Sequence, residues 1–155
     1  MLAQARILAL VLPAALLGGA LGSQYLGGLF PCEMCMWQRY PHYAAVAVAL
    51  LAILLRKTAL SLPLTIVAGL LIVYSGGIGV WQAGSEYHWW KGPEHCTSLV
   101  KGGGADLLKA ILAAPLIRCD VPQWTLFGIS LAGFNALFSI VGGLAVLFLC
   151  RRPAR

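Results

Sequence analysis

Four long apolar stretches, separated by shorter polar segments, dominate the pattern of this chain. They cover residues 7–30, 37–55, 60–83 and 124–150. Each is close to the roughly 20 residues that an α-helix needs to cross the hydrocarbon core of a bilayer. The pattern therefore predicts four membrane-spanning helices, of which the second is the weakest because Arg39 and Pro41 lie near its start. Loops at residues 31–36 and 84–123 would then lie on one side of the membrane.

The first stretch has an alternative interpretation as a cleaved signal peptide. Arg6 supplies a positive start, and Ala20-Leu21-Gly22 resembles a cleavage site. We favour a membrane span, because the apolar run extends past the point at which a signal peptide would end. Cleavage would also leave three spans and would place the basic C-terminus on the opposite side.

The long loop contains a candidate short helix. After Gly102-Gly103-Gly104, residues 105–112 place their leucine and isoleucine side chains on one helical face. A short amphipathic helix of this kind can lie in the membrane interface. The alternative, a packing helix in a small ectodomain, stays open at this stage.

The composition indicates that the bilayer is the solvent of this protein. The chain is 60% hydrophobic and only 10% charged, whereas a soluble domain carries about 25% charged residues. So little charge cannot cover a surface that faces water. The sequence therefore predicts an all-α integral membrane protein, a single four-helix bundle domain over residues 1–155.

The distribution of charge predicts the orientation of the bundle. Six basic residues fall on one side of a four-span bundle, with no acidic residue beside them: Arg6, Arg56, Lys57, Arg151, Arg152 and Arg155. Lys and Arg mark the cytoplasmic side of short loops, so we expect both termini in the cytoplasm. The net charge of +6 thus reflects the orientation of the protein in the membrane. The basic residues do not form a clustered patch, so we expect no nucleic-acid partner.

Four of the five cysteines fall on the predicted outer side. Cys32 and Cys35 lie in the short loop, Cys96 and Cys119 in the long loop, and Cys150 at the cytoplasmic end. Disulfides persist in oxidising compartments such as the bacterial periplasm. Four cysteines allow three pairings, and sequence alone does not choose between them. The short gap favours Cys32 with Cys35 and leaves Cys96 with Cys119, whereas Cys150 is interpreted as a small apolar filler.

Three interpretations compete for the outer cysteines. Two stapling disulfides are the simplest, but the short Cys32–Cys35 ring would barely restrict the unfolded chain. A zinc site that includes His95 is the second, but structural zinc usually uses two close ligand pairs. Cys96 and Cys119 are 23 residues apart, so we expect no metal. Thiol–disulfide exchange, the third interpretation, is therefore favoured.

Arg39 is the candidate partner of the Cys-x-x-Cys pair. If the second helix begins near Cys35, Arg39 lies one turn further along the same face. A nearby cation and a helix N-terminus both lower the pKa of a thiol. Thiols at the edge of a bilayer can also meet a lipid-soluble quinone, and a guanidinium can donate hydrogen bonds to its carbonyl oxygens. The alternatives are that Arg39 snorkels at the interface, or that Pro41 opens the helix and leaves Arg39 outside it.

These motifs together resemble a known family. The run Cys32-x-x-Cys35-x-x-Gln38-Arg39-Tyr40-Pro41 is similar to the first periplasmic loop of the disulfide bond formation protein B (DsbB) family. Residues 86–96 and 119–135 resemble the second loop and the fourth helix of that family. The resemblance covers most of the chain, from about Ser23 to Ala136.

The resemblance implies a quinone-dependent thiol oxidase of the bacterial inner membrane that reoxidises a periplasmic DsbA-like dithiol oxidase. It implies that Cys96 forms the mixed disulfide with this partner. Electrons would then pass from Cys96 and Cys119 to Cys32 and Cys35. Disulfide bonds in exported proteins would be the final product.

The same resemblance assigns the quinone contacts. Cys35 would face the quinone, ubiquinone or menaquinone, and Arg39 would bind it. His88, just before the long loop, is a second candidate contact. The alternatives are a DsbI-like or vitamin-K-reductase-like oxidoreductase with a different partner, and a membrane scaffold held by inert disulfides.

Overall fold

The computed structural model describes residues 1–93 and 118–151, and most of these residues form four long helices. The helices are α1 (Leu2–Tyr25), α2 (Glu33–Leu54), α3 (Ser61–Glu86) and α4 (Leu131–Arg151). By length and composition α1, α3 and α4 could each cross a membrane. The prediction of a helical membrane protein is confirmed at this level, and the crossing of α2, with Arg39 and Pro41 in its first half, stays a prediction.

The helix boundaries differ from the predicted ones at the end that carries the cysteines. α1 ends at Tyr25 instead of residue 30, and Gly28 in the turn that follows has a φ of 66°. α2 begins at Glu33 instead of residue 37, so Cys35 lies inside its first turn. Pro41 lies within α2 and does not open it, so the alternative that placed Arg39 outside the helix is wrong.

A small β-hairpin replaces the predicted first two turns of the fourth span. Strand β1 (Thr125–Leu126) pairs antiparallel with β2 (Ile129–Ser130), with Leu126 opposite Ile129. The two residues between them, Phe127 and Gly128, have φ values of 52° and 77°. Positive φ at both central residues is typical of the tight turn that joins two strands. The prediction of a helix from residue 124 is therefore wrong, because hydropathy alone does not distinguish a short apolar hairpin from a helix.

The four helices alternate in direction, as two buried clusters at opposite ends show. One cluster joins the start of α1, the end of α2, the start of α3 and the end of α4: Ala5, Ala9, Ala49, Ala68 and Val146. At the other end, the Gln123 side chain before α4 hydrogen-bonds the backbone of Phe30 before α2. The first and last described residues thus lie at the same end of the bundle.

The bundle is apolar outside and partly polar inside, the reverse of a soluble protein. Ile7, Leu70 and Val141 are each more than half exposed, whereas the Gln38 and Gln82 side chains are buried. Large exposed apolar areas indicate contact with lipid or with another protein. This polarity fits a bundle whose outer surface faces lipid chains.

Small residues bring α3 and α4 into close contact. A Cβ atom on Gly79 would lie 3.0 Å from the carbonyl oxygen of Ala132. Helices in membranes approach closely where small residues face each other. The predicted interfacial helix at residues 105–112 lies outside the described residues, and the single-domain organisation over residues 1–155 stays a prediction.

Candidate functional site

The Cys-x-x-Cys pair forms the N-terminal cap of α2. Cys32 is the cap residue, and its Sγ accepts a hydrogen bond of 3.2 Å from the backbone N–H of Cys35. The two Sγ atoms lie 2.8 Å apart, and both cysteines are free thiols. Cys32 is only 1% exposed, whereas Cys35 is half-buried. The cap thus explains why α2 begins earlier than predicted, and it leaves Cys35 as the more accessible sulfur.

The two thiols differ strongly in acidity. The hydrogen bond from the Cys32 thiol lowers the pKa of Cys35, although burial acts in the opposite direction. The same hydrogen bond, together with burial, raises the pKa of Cys32. The pair therefore loses its first proton readily at Cys35 and holds the second firmly at Cys32, which favours one reactive thiolate beside a protonated thiol.

A glutamine from α3 contacts both sulfurs. The Gln82 Nε2 atom lies 3.5 Å from each Sγ and donates to Glu86 Oε1 at 3.0 Å. Its Oε1 atom accepts a hydrogen bond of 2.6 Å from Gln38 Nε2. The contact with Gln82 also lowers the pKa of Cys35. Gln82, which no local sequence pattern indicates, therefore has the effect on the Cys35 thiol that was predicted for a cation.

Arg39 is buried in the bundle, where its guanidinium binds α1. It is 8% exposed, and its guanidinium donates to Gln24 Oε1 at 2.5 Å and to the Ala20 carbonyl oxygen at 3.1 Å, both in α1. This burial contradicts the alternative of a snorkelling side chain. The groups that lower the pKa of Cys35 are Cys32 and Gln82, so the expected activation of the thiol by Arg39 is replaced by these neutral donors.

A cavity of about 220 Å³ brings these side chains together. The cap residue Cys32, Cys35 and Arg39 of α2, and Glu86 of α3 line its polar side. Most of the remaining wall is apolar and comes from α1, α4 and residues 29–31. A concave, largely apolar site with a few convergent polar groups is typical of a small-molecule binding site.

A ladder of polar side chains forms the floor of this cavity. Asn135 of α4 donates from Nδ2 to Gln38 Oε1 at 2.7 Å, and its Oδ1 lies 2.9 Å from His42 Nε2. Ser75 of α3 contacts the same His42 nitrogen at 3.0 Å and donates to the Gln38 carbonyl oxygen at 2.8 Å. The ladder thus joins α2, α3 and α4. Sequence reasoning gave His42 no role, although Gln38 and His42, four residues apart in an apolar helix, are a signal of a polar interior.

Cys119 lies against the Cys-x-x-Cys pair. It is 3% exposed, forms a disulfide, and packs in one cluster with Cys32 and Met34, bordered by Cys35 and Trp37. The structure therefore brings three of the four predicted redox cysteines together. Cys96, the fourth, lies outside the described residues, so its pairing with Cys119 stays a prediction.

His88 lies at a different cavity from Arg39. Its φ of 58° turns the chain sharply after α3, and it lines an open cavity of about 690 Å³ together with Cys119 and Asp120. It is not among the residues that line the cavity beside Cys35. The structure therefore does not bring the two predicted quinone contacts together.

The described residues contain no group of three or more metal-ligating side chains. They do contain a buried cation without a carboxylate partner, because Arg39 donates only to neutral acceptors in this part of the chain. A buried charge is costly unless it is compensated. A flat ring with carbonyl oxygens could accept hydrogen bonds from this guanidinium, and the mostly apolar walls of the cavity of about 220 Å³ suit such a ring.

Comparison with known proteins gives one consistent result. The family model for DsbB, Disulfide bond formation protein DsbB, matches residues 3–149. A protein named "Disulfide bond formation protein B" from Polaromonas sp. (strain JS666 / ATCC BAA-500) is 32% identical over 163 aligned positions, which cover 97% of this chain and 92% of the relative. A protein of the same name from Polaromonas naphthalenivorans (strain CJ2) is 34% identical, with 97% of this chain and 93% of the relative covered.

No solved structure matches the chain significantly. The family assignment therefore rests on the near-complete match to the family model and on the two relatives. It agrees with the cysteine and arginine spacing that predicted this family from the sequence. The chain belongs to the DsbB family of membrane disulfide bond formation proteins.

Proposed function

We propose that this protein is a quinone-dependent thiol oxidase that reoxidises a periplasmic DsbA-like dithiol oxidase. The observation that carries the proposal is the cavity beside Cys35, which combines a reactive thiol pair, a buried Arg39 and apolar walls. An inert disulfide staple would need neither a cavity nor a thiol of lowered pKa. Ubiquinone and menaquinone are both candidates, because their rings present the same carbonyl oxygens.

The proposed setting is the inner membrane of a bacterium, crossed by all four helices of one domain. Both ends of the described chain lie at the end that also carries Arg6, Arg56 and Lys57. The rule that basic residues stay inside supports a cytoplasmic location of this end. Cys32, Cys35 and the cavity would then face the periplasm, where an oxidised partner is needed.

Electrons would enter at the second cysteine pair. In the proposed route a thiolate of the partner attacks Cys96, forming a mixed disulfide and releasing Cys119. The Cys119 side chain packs against Cys32, which supports direct exchange between the two pairs. The low exposure of both sulfurs would limit exchange with other thiols.

The residues around the cavity would prepare the second half of the reaction. When bound, a quinone accepts two electrons and two protons from the reduced pair. Cys35 would supply the thiolate, and Gln82 and the Cys32 thiol would stabilise it. Arg39, held by Gln24 and the Ala20 carbonyl oxygen, would donate to a ring oxygen and stabilise the charge that develops there.

Quinone reduction by the purified protein tests this function. The protein is mixed with a reduced DsbA-like oxidase and a short-chain quinone, and the loss of quinone absorbance is measured. We expect Cys35→Ser to abolish turnover, and the matched Cys150→Ser variant, which alters a free thiol at the opposite end of the bundle, to keep it. Unchanged turnover in Cys35→Ser would contradict the proposed route.

A trapping experiment distinguishes the alternative partner. In a Cys119→Ser variant, Cys96 is a free thiol that can attack the disulfide of an oxidised partner. No Cys119 thiol is then present to release the partner, so the mixed disulfide at Cys96 should persist. Mass spectrometry of the trapped species should identify a DsbA-like oxidase. A different thiol protein would instead favour a DsbI-like or vitamin-K-reductase-like role.

A further inference from the structure

Glu86 is a buried carboxyl group at the same cavity as the thiol pair. It is the last residue of α3 and is 8% exposed. Its Oε1 atom accepts the hydrogen bond from Gln82, whereas its buried Oε2 atom has no hydrogen-bond partner among the described residues. Among the described residues that line the cavity, it is the one carboxyl group. An unpartnered buried oxygen of this kind needs a physical reason.

The charged groups around the cavity do not neutralise Glu86. Arg39 donates to α1, and Arg118, which also lines the cavity, is paired with Asp120 at 2.6 Å. His42 is engaged through its Nε2 atom in the polar ladder. The hydroxyl of Ser130, in the hairpin before α4, lies beside Glu86. The Gln82 amide contacts both sulfurs and the Oε1 atom of Glu86, which leaves the Oε2 atom as the oxygen that can accept a proton.

Closure of the Cys32–Cys35 disulfide releases the proton of the Cys32 thiol, and this proton needs an acceptor. Cys32 holds its proton, because its thiol donates to the Cys35 thiolate and because it is buried. The Cys32 sulfur can form the disulfide only as this proton leaves. With Cys32 almost inaccessible to solvent, bulk water is a poor acceptor.

We propose that Glu86 accepts the proton of the Cys32 thiol as the disulfide closes and returns it to the reduced quinone. The proposal rests on the proposed function and deepens it. In the balanced step, the Cys32 thiol, the Cys35 thiolate, one quinone and one proton from water give the disulfide and one quinol. Two electrons leave the sulfurs, and the two protons of the quinol come from Cys32, by way of Glu86, and from water.

The experiment uses the full chain in lipid nanodiscs with Cys96→Ser and Cys119→Ser, so that only the inner pair reacts. The protein is reduced, mixed with a short-chain ubiquinone, and followed through a single turnover between pH 5 and 10. General acid–base catalysis contributes on the order of 10²–10⁴-fold, so Glu86→Gln should slow the step about 100-fold or more near pH 7. The difference in rate between Glu86→Gln and the parent protein should become smaller at high pH, because hydroxide replaces the missing base.

A second measurement does not depend on quinone. A negative Glu86 raises the pKa of Cys35 through its charge, so Glu86→Gln should shift the alkylation midpoint of Cys35 to lower pH in quinone-free protein. The matched control is Glu33→Gln, which removes a carboxyl group next to Cys32 in sequence but outside the cavity lining. We expect this control to react within about two-fold of the parent at each pH, since no catalytic proton transfer is removed.

Chemical rescue guards against a folding defect. A Glu86→Ala variant leaves space in the cavity, and added formate should restore part of the lost rate. A single-turnover rate for Glu86→Gln within two-fold of the parent at all pH values would overturn the assignment, as would an unshifted alkylation midpoint. Failure of the parent protein itself to reduce quinone would instead refute the proposed function, so the two failures are distinguishable.

Discussion

Replacement of Gln82 by methionine should raise the pKa of Cys35. Gln82→Met keeps a similar volume but removes the amide that contacts both sulfurs at 3.5 Å. It also removes the acceptor of Gln38 and the donor to Glu86. The change thus tests whether neutral donors, and not a cation, prepare the thiolate in this site.

The size of the effect follows from the geometry. A hydrogen bond to a charged group contributes about 1.5–3 kcal/mol net, and 1.36 kcal/mol corresponds to about one pKa unit. Since Gln82 Nε2 serves two sulfurs and Glu86 at once, its contacts with sulfur are long. We therefore expect the lower end of this range, an upward shift of roughly one unit for Cys35.

The assay is the pH dependence of Cys35 alkylation in the reduced, quinone-free protein, with the modified site identified by mass spectrometry. Gln123→Met is the matched control, because in the described part of the chain its exposed amide bonds the backbone of Phe30 and neither sulfur. The Cys35 midpoint should move up in Gln82→Met and stay in place in Gln123→Met. An unchanged or lowered midpoint in Gln82→Met would show that Gln82 does not stabilise the thiolate.

Two further substitutions test the cavity and the polar ladder. Arg39→Met should raise the quinone KM about ten-fold or more, since hydrogen bonds to charged groups contribute about 1.5–3 kcal/mol. The control Arg56→Met, at the opposite end of the bundle, should leave KM unchanged. Equal KM values for the two variants would show that Arg39 does not bind the quinone. Asn135→Leu removes the α4 partner of Gln38 and the shorter of the two α4 contacts of His42, which keeps its contact with Ser139 at 3.4 Å. Interhelical hydrogen bonds in membranes average about 0.6 kcal/mol, so unfolding in mixed detergent micelles should show a loss of about 1 kcal/mol, and a stabilised variant would contradict this role.

The sequence predicts the helices well because lipid imposes a simple length and composition on them. The apolar runs identify α1, α3 and the later part of α4 as helices, although α1 ends at Tyr25 instead of residue 30. The prediction of a helix is wrong at residues 124–130, because a hairpin that contains Thr125, Leu126 and Ile129 is as apolar as a helix. The turn at Phe127-Gly128 is the one feature that distinguishes this segment from a helix. Hydropathy measures the preference of a segment for an apolar environment and contains no information about its backbone conformation.

The candidate site is predicted only where its residues are close in sequence. The spacing from Cys32 to Arg39 lies within two helical turns, so pattern reasoning finds it, although it assigns Arg39 the wrong effect on the thiol. Gln82 and Asn135 reach the site from other helices, 47 residues from Cys35 and 97 residues from Gln38. Contacts of that range depend on how helices pack, which no local pattern contains.

The polar interior links the stability of the bundle to its chemistry. Apolar burial does not drive one helix against another in lipid, so close packing and hydrogen bonds must hold the helices together. Here Gln38 of α2 bonds Asn135 of α4 and Gln82 of α3, and Gln82 in turn contacts Cys35. The bonds that fix the helices are therefore the same bonds that orient the donor at the thiolate. A loosened ladder should then raise the pKa of Cys35 before the fold is lost, because the amide that stabilises the thiolate is held in place only by its partners.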